Sequence, residues 1–291
     1  MPFANYSLVL NPFAENYVVR SVFSELLLRC PTKSEFQPWR AVIKTHGITE
    51  FIKQIQCSDE KASISQKIES QKTLFMHIPK TAGASFRCFM SRFIKTTYTT
   101  GIDQDPNSLH DAPFVTGHFG FAFIKSATFT HSFTILRDPI ERIISLYRFS
   151  RANLSGKHIN DPALTHDFSS WISSNIPSIR EQIDSFYVRV MTDDINEPFE
   201  TRVADSLPLA IKRYSAFSAV GDQSNLEPFC KRVSSIFDIN CTSLPLDNVS
   251  KYLTRSHVNY PPRPKLTQDD RVRLSHLTRY DYVIYNHFRS R

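Results

Sequence analysis

Several features that would settle a function class at once are missing from this chain of 291 residues. No run of five Lys or Arg occurs, so the formal net charge of +7 is scattered and a basic arm for nucleic acid has no support. The five cysteines (Cys30, Cys57, Cys88, Cys230 and Cys241) are widely spaced, and none forms a CxxC pair. That argues against a zinc site or redox motif and for a reduced, intracellular protein. No acidic cluster suited to a divalent metal is evident, so no metal is expected. No internal repeat is visible. No stretch approaches the roughly 20 apolar residues of a membrane span. The most apolar stretch near the start, Val18 to Leu28, is broken by Arg20, Ser21, Ser24 and Glu25. The opening Met1-Pro2-Phe3-Ala4-Asn5-Tyr6 lacks the basic region and apolar core of a secretory leader. These absences predict a cytoplasmic protein with no transmembrane segment and no nucleic-acid partner.

What is present is ordinary for a soluble globular protein: 41% hydrophobic and 22% charged residues. The length suits one large α/β domain with a modest extension. The positive balance attracts phosphates or acidic glycans, or simply keeps the surface solvated. Residues 1–70 mix Phe, Pro and charge without clean periodicity and read as an N-terminal extension, mostly helical or irregular. Within them Glu15 to Arg29 fits a helix, and Ser58 to Lys72 a helix or linker.

Residues 71–291 read as the main domain. The run Leu74-Phe75-Met76-His77-Ile78 is nearly continuous in apolar residues, as a strand buried on both faces is. After Pro79 and a loop, Phe86, Phe89, Met90, Phe93 and Ile94 recur with helical spacing. Further strands are predicted at Phe114 to Phe119, Ser132 to Leu136 and Phe217 to Val220. A helix is expected from about Asn225 to Phe237. Asp138-Pro139-Ile140-Glu141 reads as an N-cap, a first-turn proline and a capping box for another helix. Thr267-x-x-Asp270 opens a C-terminal helix. Strands alternating with helices predict an α/β fold: a mainly parallel sheet with helices on both faces.

Two constellations carry the chemistry. The first is His77-Ile78-Pro79-Lys80-Thr81-Ala82-Gly83-Ala84-Ser85, between the first strand and its helix. Such a loop exposes unpaired N–H groups and the positive end of the helix dipole, which suits phosphate. Gly83 permits close backbone approach or a positive φ. Lys80 adds a cation, and Thr81 and Ser85 add hydroxyls. Out of context, the same letters are a strand–helix turn with a solvated lysine. A Walker loop needs a glycine five residues before a Gly-Lys pair; here Lys80 precedes the loop's only glycine. That disfavours an ATP- or GTP-cleaving phosphotransferase. The second constellation is Arg137-Asp138-Pro139-Ile140-Glu141-Arg142, followed by Ser145 and Tyr147. Arg137 falls at the carboxyl end of a strand, where ligands bind in open parallel sheets. A guanidinium there can grip a phosphate with two hydrogen bonds. Alone, Arg137 is equally a partner for Asp138 or Glu141, and Ser145 a residue on a helix face.

Taken together, the two strings resemble those of the carbohydrate O-sulfotransferases, the group that includes the heparan sulfate enzymes, which share a P-loop-kinase-like α/β fold. The resemblance covers about Thr73 to Arg151. It implies transfer of a sulfuryl group from 3′-phosphoadenosine-5′-phosphosulfate (PAPS) to a carbohydrate hydroxyl, on a polysaccharide, oligosaccharide or glycolipid. It assigns Lys80, Thr81, Gly83, Ala84 and Ser85 to the 5′-phosphosulfate, and Arg137 and Ser145 to the 3′-phosphate. Ala84 departs from the pattern, since the family often has a hydroxyl there. Arg142 and Tyr147 are expected to support the helix. Eukaryotic Golgi members normally carry a membrane anchor, so its absence suggests a bacterial protein, or a chain trimmed of its anchor. Beyond the clear match, Val220-Gly221, Asn248 and Asp281-x-x-x-Tyr285 fall roughly where relatives have similar residues. Tyr187 and Arg189 fall where the family has acceptor-proximal residues. Adenine contacts are expected around Ser250 to Lys265.

The acceptor hydroxyl must lose a proton. His118, in Thr116-Gly117-His118-Phe119-Gly120 at a strand end, is the candidate base. An imidazole with an unperturbed pKa of about 6.5 suits that work, and relatives that use histidine have a similar Gly-His segment. Lys80 would offset charge on the leaving phosphate. The competing role for His118 is structural, through a hydrogen bond to backbone. His77 is expected to support the loop, and His110 and Asp111 are further acceptor-contact candidates. Two other functions remain in view. One is a P-loop phosphotransferase, which ATP binding would favour. The other is a non-catalytic glycan- or nucleotide-binding protein, which the presence of Lys80, His118 and Arg137 together argues against.

Overall fold

A computed structural model describes residues 12–94, 96–99, 109, 112–126, 129–152, 162–192, 203–240, 244 and 260–289. The chain starts with helices α1 (Pro12–Val22), α2 (Phe36–Gln56) and α3 (Asp59–Glu69), with a π-helical turn at Phe23–Leu27. Val19, Phe23, Leu27, Ile43, Phe51 and Ile55 form their own apolar cluster. Inside it lies Glu15, 1% exposed, whose carboxylate accepts from Arg40 Nε at 2.8 Å. A buried carboxylate needs such a partner, and this one ties α1 to α2.

The sheet follows. Strand β1 (Thr73–Met76) leads to α4 (Gly83–Met90), then to β2 (Thr96–Thr99) and β3 (Phe114–Gly117). After α5 (Phe121–Ser126) comes β4 (His131–Leu136), then α6 (Pro139–Ala152). Helices α7 (Phe168–Ser173), α8 (Pro177–Ile183), α9 (Phe186–Thr192) and α10 (Val203–Ser215) precede β5 (Ala219–Asp222). The last elements are α11 (Glu227–Phe237) and α12 (Gln268–Phe288). The sheet has five strands in the order β2-β3-β1-β4-β5, and every adjacent pair is parallel. This is the α/β architecture that the alternation of strands and helices implied.

Side chains of β1 leave alternately to two cores, as the period-two pleat requires. Leu74 and Met76 pack with Tyr187, Val188, Tyr214 and Ile284, which come from α9, α10 and α12. Phe75 enters the opposite cluster with Phe86 and Phe89 of α4 and Phe229 and Val233 of α11. Helices therefore cover both faces. The sheet changes direction about β1, which has β3 on one side and β4 on the other. Ligands bind at the carboxyl edge of such a crossing point.

Several boundaries differ from the sequence reading. The fifth strand begins at Ala219, because Phe217 turns into the core beside Tyr214 while Ser218 N–H bonds Ser132 O before pairing starts. Helix α4 stops at Met90, yet Phe93 and Ile94 stay buried in the turns that follow. The capping box at Thr267 and Asp270 forms as expected. At α6 only half of one does. Asp138 Oδ1 accepts from Glu141 N–H at 3.0 Å, but the Glu141 carboxylate turns outward to Arg263. Among the described residues no helix is long and apolar enough to cross a membrane.

Candidate functional site

The loop after β1 is built by three neighbours. His77 N–H donates to Gly117 O at 2.9 Å, extending the β1–β3 ladder by one residue. Thr81 Oγ1 donates to Ile78 O at 2.8 Å and closes the turn. Lys80 and Ala82 both take φ of 69°, the left-handed region that side chains with a Cβ disfavour. Gly83 itself is not in that region; its role is close approach. A Cβ at Gly83 would overlap the His77 imidazole. The glycine is required because a histidine ring lies on it.

Thr81 is fully buried, and its hydroxyl is spent on Ile78 O. Thr81 therefore shapes the loop and has no exposed surface to offer a ligand. Ser85 is 5% exposed in the first turn of α4, where its N–H donates to Ala82 O. Ala84 lies in the same turn. The Lys80 ammonium sits 3.8 Å above the Phe149 ring of α6. Burial, with Arg137 nearby, lowers its pKa to about 8. Ser145 stands one turn before Phe149 on the same stripe of α6 and is buried.

Arg137 follows β4 directly, beside the loop. Its Nη1 donates to Lys80 O at 3.2 Å, which holds the carbonyl of a strained residue. Its Nη2 is 4.0 Å from Glu141 Oε2, at the limit of an ion pair. Its Nε is buried with no partner among the described residues. Buried donors are nearly always satisfied, so an orphan at a sheet edge marks a place for an acceptor.

His118 follows β3. Its Nδ1 lies 2.5 Å from His77 O, and its ring faces that of His77 at 4.5 Å. A carbonyl can only accept, so Nδ1 carries the proton and the lone pair is on Nε2. Burial depresses the His118 pKa, with Arg87 and Lys80 adding to the effect and the bond to His77 opposing it. His77 is pushed down further, to about 3, first by burial and then by His118, Arg87 and Lys80. Neither imidazole is charged at neutral pH. The His77 contribution is structural, as expected, but by an unexpected means: its carbonyl orients His118 and its ring occupies the space over Gly83.

The structure thus brings Lys80, Gly83, Ser85, His118 and Arg137 to one sheet edge. Tyr187 and Arg189 do not line an acceptor surface there; they are 0% and 1% exposed, because α9 is packed between the sheet and α12. Arg142 is likewise buried and donates Nη2 to Gln182 O at 2.5 Å. Tyr147 donates its hydroxyl to His166 O at 3.0 Å. Both support α6, as expected. Of the adenine-loop candidates only 260–265 are described. They run along α6, where Arg148 Nε donates to Pro261 O at 2.9 Å and stacks over Tyr260. His110, Asp111 and Asn248 lie outside the described residues.

A parallel sheet with an anion-type loop after its central strand, and cations converging on that edge, is the architecture of the P-loop-like group-transfer proteins. Residues 68–190, from the end of α3 through most of α9, match the model described as the sulfotransferase family. That match supports sulfuryl transfer, from a sulfate donor to an acceptor, as the general chemistry of the site. The match contains every residue assigned above to the site. No curated protein matches the chain.

Proposed function

We propose that this protein transfers a sulfuryl group from PAPS to a carbohydrate hydroxyl, with His118 as general base. One observation carries the reading: Arg137 and Lys80, from adjacent strand ends, are joined through the 3.2 Å Nη1–O bond, while the buried Nε of Arg137 has no partner. Two cations held together with an unused donor fit a ligand bearing two separated anionic groups. The Lys80 ammonium, the N–H groups opening α4 at Gly83 and Ala84, and the Ser85 side chain would hold the 5′-phosphosulfate. Thr81 would take part only by holding the shape of the loop. Arg137 and Ser145 would hold the 3′-phosphate.

PAPS supplies the sulfuryl group and a stable leaving phosphate. The protein supplies alignment and charge, which dominate transfers of this kind. His118 Nε2 takes the proton of the acceptor hydroxyl as its oxygen bonds to sulfur. The bond between sulfur and the phosphate oxygen breaks, its electrons stay on that oxygen, and Lys80 offsets the charge.

Calorimetric titration with PAP, the desulfated product, and separately with ATP tests the reading in metal-free buffer. PAP binding that is clearly weakened, but still measurable, in Lys80→Ala and in Arg137→Ala is the expected result. ATP binding equal to or tighter than PAP would favour a phosphotransferase and overturn the assignment. No binding of either by folded protein would leave the site without its donor.

A further inference from the structure

Beyond the last ladder bond of β4, the Arg137 peptide has no strand beside it on the β1 side. Strand β1 ends at Met76, opposite Thr134. The vacancy is filled by one side chain from fifty residues downstream. The Tyr187 hydroxyl donates to Arg137 O at 2.6 Å and accepts from Arg137 N–H at 3.1 Å. In extended backbone both groups of one residue point to the same side, so a single phenol can serve both, as a facing strand residue would. Tyr187 is fully buried, and a buried phenol is placed by its partners.

Tyr187 is itself anchored. Its N–H donates to Asp281 Oδ1 of α12 at 2.9 Å. Arg142 stacks its guanidinium 5.7 Å from the Tyr187 ring. Neighbouring residues of α12 brace the same edge: Tyr282 donates to Asp138 Oδ2 at 2.8 Å and Tyr285 to Asp222 Oδ1 at 3.1 Å. Asp138, next to Arg137, and Asp222, opposite Leu136 on β5, are therefore tied to one helix, and Arg137 is tied to it through Tyr187.

We propose that Tyr187 is a positioning residue for donor binding: it fixes the Arg137 peptide so that the guanidinium meets the phosphate without searching for it. This rests on the donor reading above. A flexible arginine loses affinity to the entropy of being ordered, and a fixed one does not.

The test is PAP titration of the wild type, Tyr187→Phe, Arg137→Ala and the double variant, with Tm recorded for each. Tyr187→Phe is expected to weaken PAP binding about tenfold, roughly the effect of 1.4 kcal/mol. In the Arg137→Ala background it is expected to change PAP affinity no further, because residues that act through one another are not additive. Unchanged affinity in Tyr187→Phe, or losses that multiply in the double variant, would overturn the clamp while leaving the donor reading intact. Wild-type protein that binds no PAP would overturn both. Should Tyr187→Phe not fold, Asp281→Ala keeps the phenol and removes the acceptor that anchors its backbone. It is then expected to weaken PAP binding about threefold, again only while Arg137 is present; no change in that variant counts against the clamp.

Discussion

His118 Nδ1 donates to the backbone oxygen of His77 at 2.5 Å, so the loop after β1 and the proposed base share one hydrogen bond. The bond exists because β1 and β3 are adjacent and end in register, Met76 opposite Gly117. It fixes the tautomer with the lone pair on Nε2. Anything that displaces the loop must also turn the base.

His118→Ala should retain PAP binding and lose turnover by about 10²–10⁴-fold, the usual worth of a positioned base. The pH profile gives a sharper check. The base works only when neutral, and its folded pKa is depressed below 6.5, chiefly by burial. The acidic limb of kcat/KM should therefore fall below pH 6.5, with a plateau above it that lasts until Lys80 begins to lose its proton near pH 8. An acidic limb centred above pH 7 would exclude His118 as the base.

Lys80 predicts a pH dependence of opposite sense. In the free protein its ammonium, lowered to about 8 by burial and by Arg137, is charged below that pH and loses its proton above it. A bound phosphosulfate favours the charged form. PAP affinity should thus be flat below pH 8 and fall by up to about tenfold per unit above it. An exposed lysine would show no such fall until about pH 10. Titrations between pH 7.5 and 9.5 separate the two, and Lys80→Met should flatten the curve at a lower affinity.

Gly83→Ala tests the ring beneath the loop. The new Cβ would overlap His77, which must move or push the loop outward. The expected cost is about 1–3 kcal/mol of stability, typical of overpacking. A loss of PAP affinity should accompany it. Truncating the obstructing ring should relieve the clash, so Gly83→Ala combined with His77→Ala should melt above Gly83→Ala alone. If the pair melts lower, with losses that simply add, the glycine serves some other purpose.

These features were not equally legible in the sequence. Leu74-Phe75-Met76 announced a strand buried on both faces, and Thr267-x-x-Asp270 a helix start, because both signals are local and periodic. Arg137 at a strand end was readable from the same pattern. The reason for Gly83 was not: it depends on a ring six residues away, folded back over it. Nor was the partnership of Tyr187 with Arg137, since spacing along a chain says nothing of which residues meet across a sheet. A signal was available in the stretch Phe186-Tyr187-Val188, where a phenol sits in a segment apolar on every side. A buried Tyr must find a partner, although the sequence does not say which. Residues 12–69 were the least readable. Their cluster forms between helices at irregular spacings, and Gly47, with φ of 86°, breaks the period of α2 from within.

Lys61 offers a test of stability away from the site. It is 6% exposed, its ammonium lies 3.4 Å over the Phe93 ring, and Nζ has no hydrogen-bond partner among the described residues. Burial lowers its pKa to about 8, from an ordinary value of 10.5. The unfolded chain therefore binds more protons between those limits, and stability should rise with pH across that window. Below pH 8 the cost of burying the charge is fully present. The attraction of Phe93 for the cation offsets part of it, but the downward direction of the shift means that desolvation wins. Lys61→Met keeps most of the volume and removes the charge. At pH 7 it should raise Tm by about 2–4 °C, the effect of roughly 1 kcal/mol in a domain of this size. The gap between variant and wild type should then close as pH rises from 8 towards 10. A gap that stays constant would mean that the substitution acts through packing alone, and a variant less stable than wild type at pH 7 would mean that the contact with Phe93 outweighs the burial.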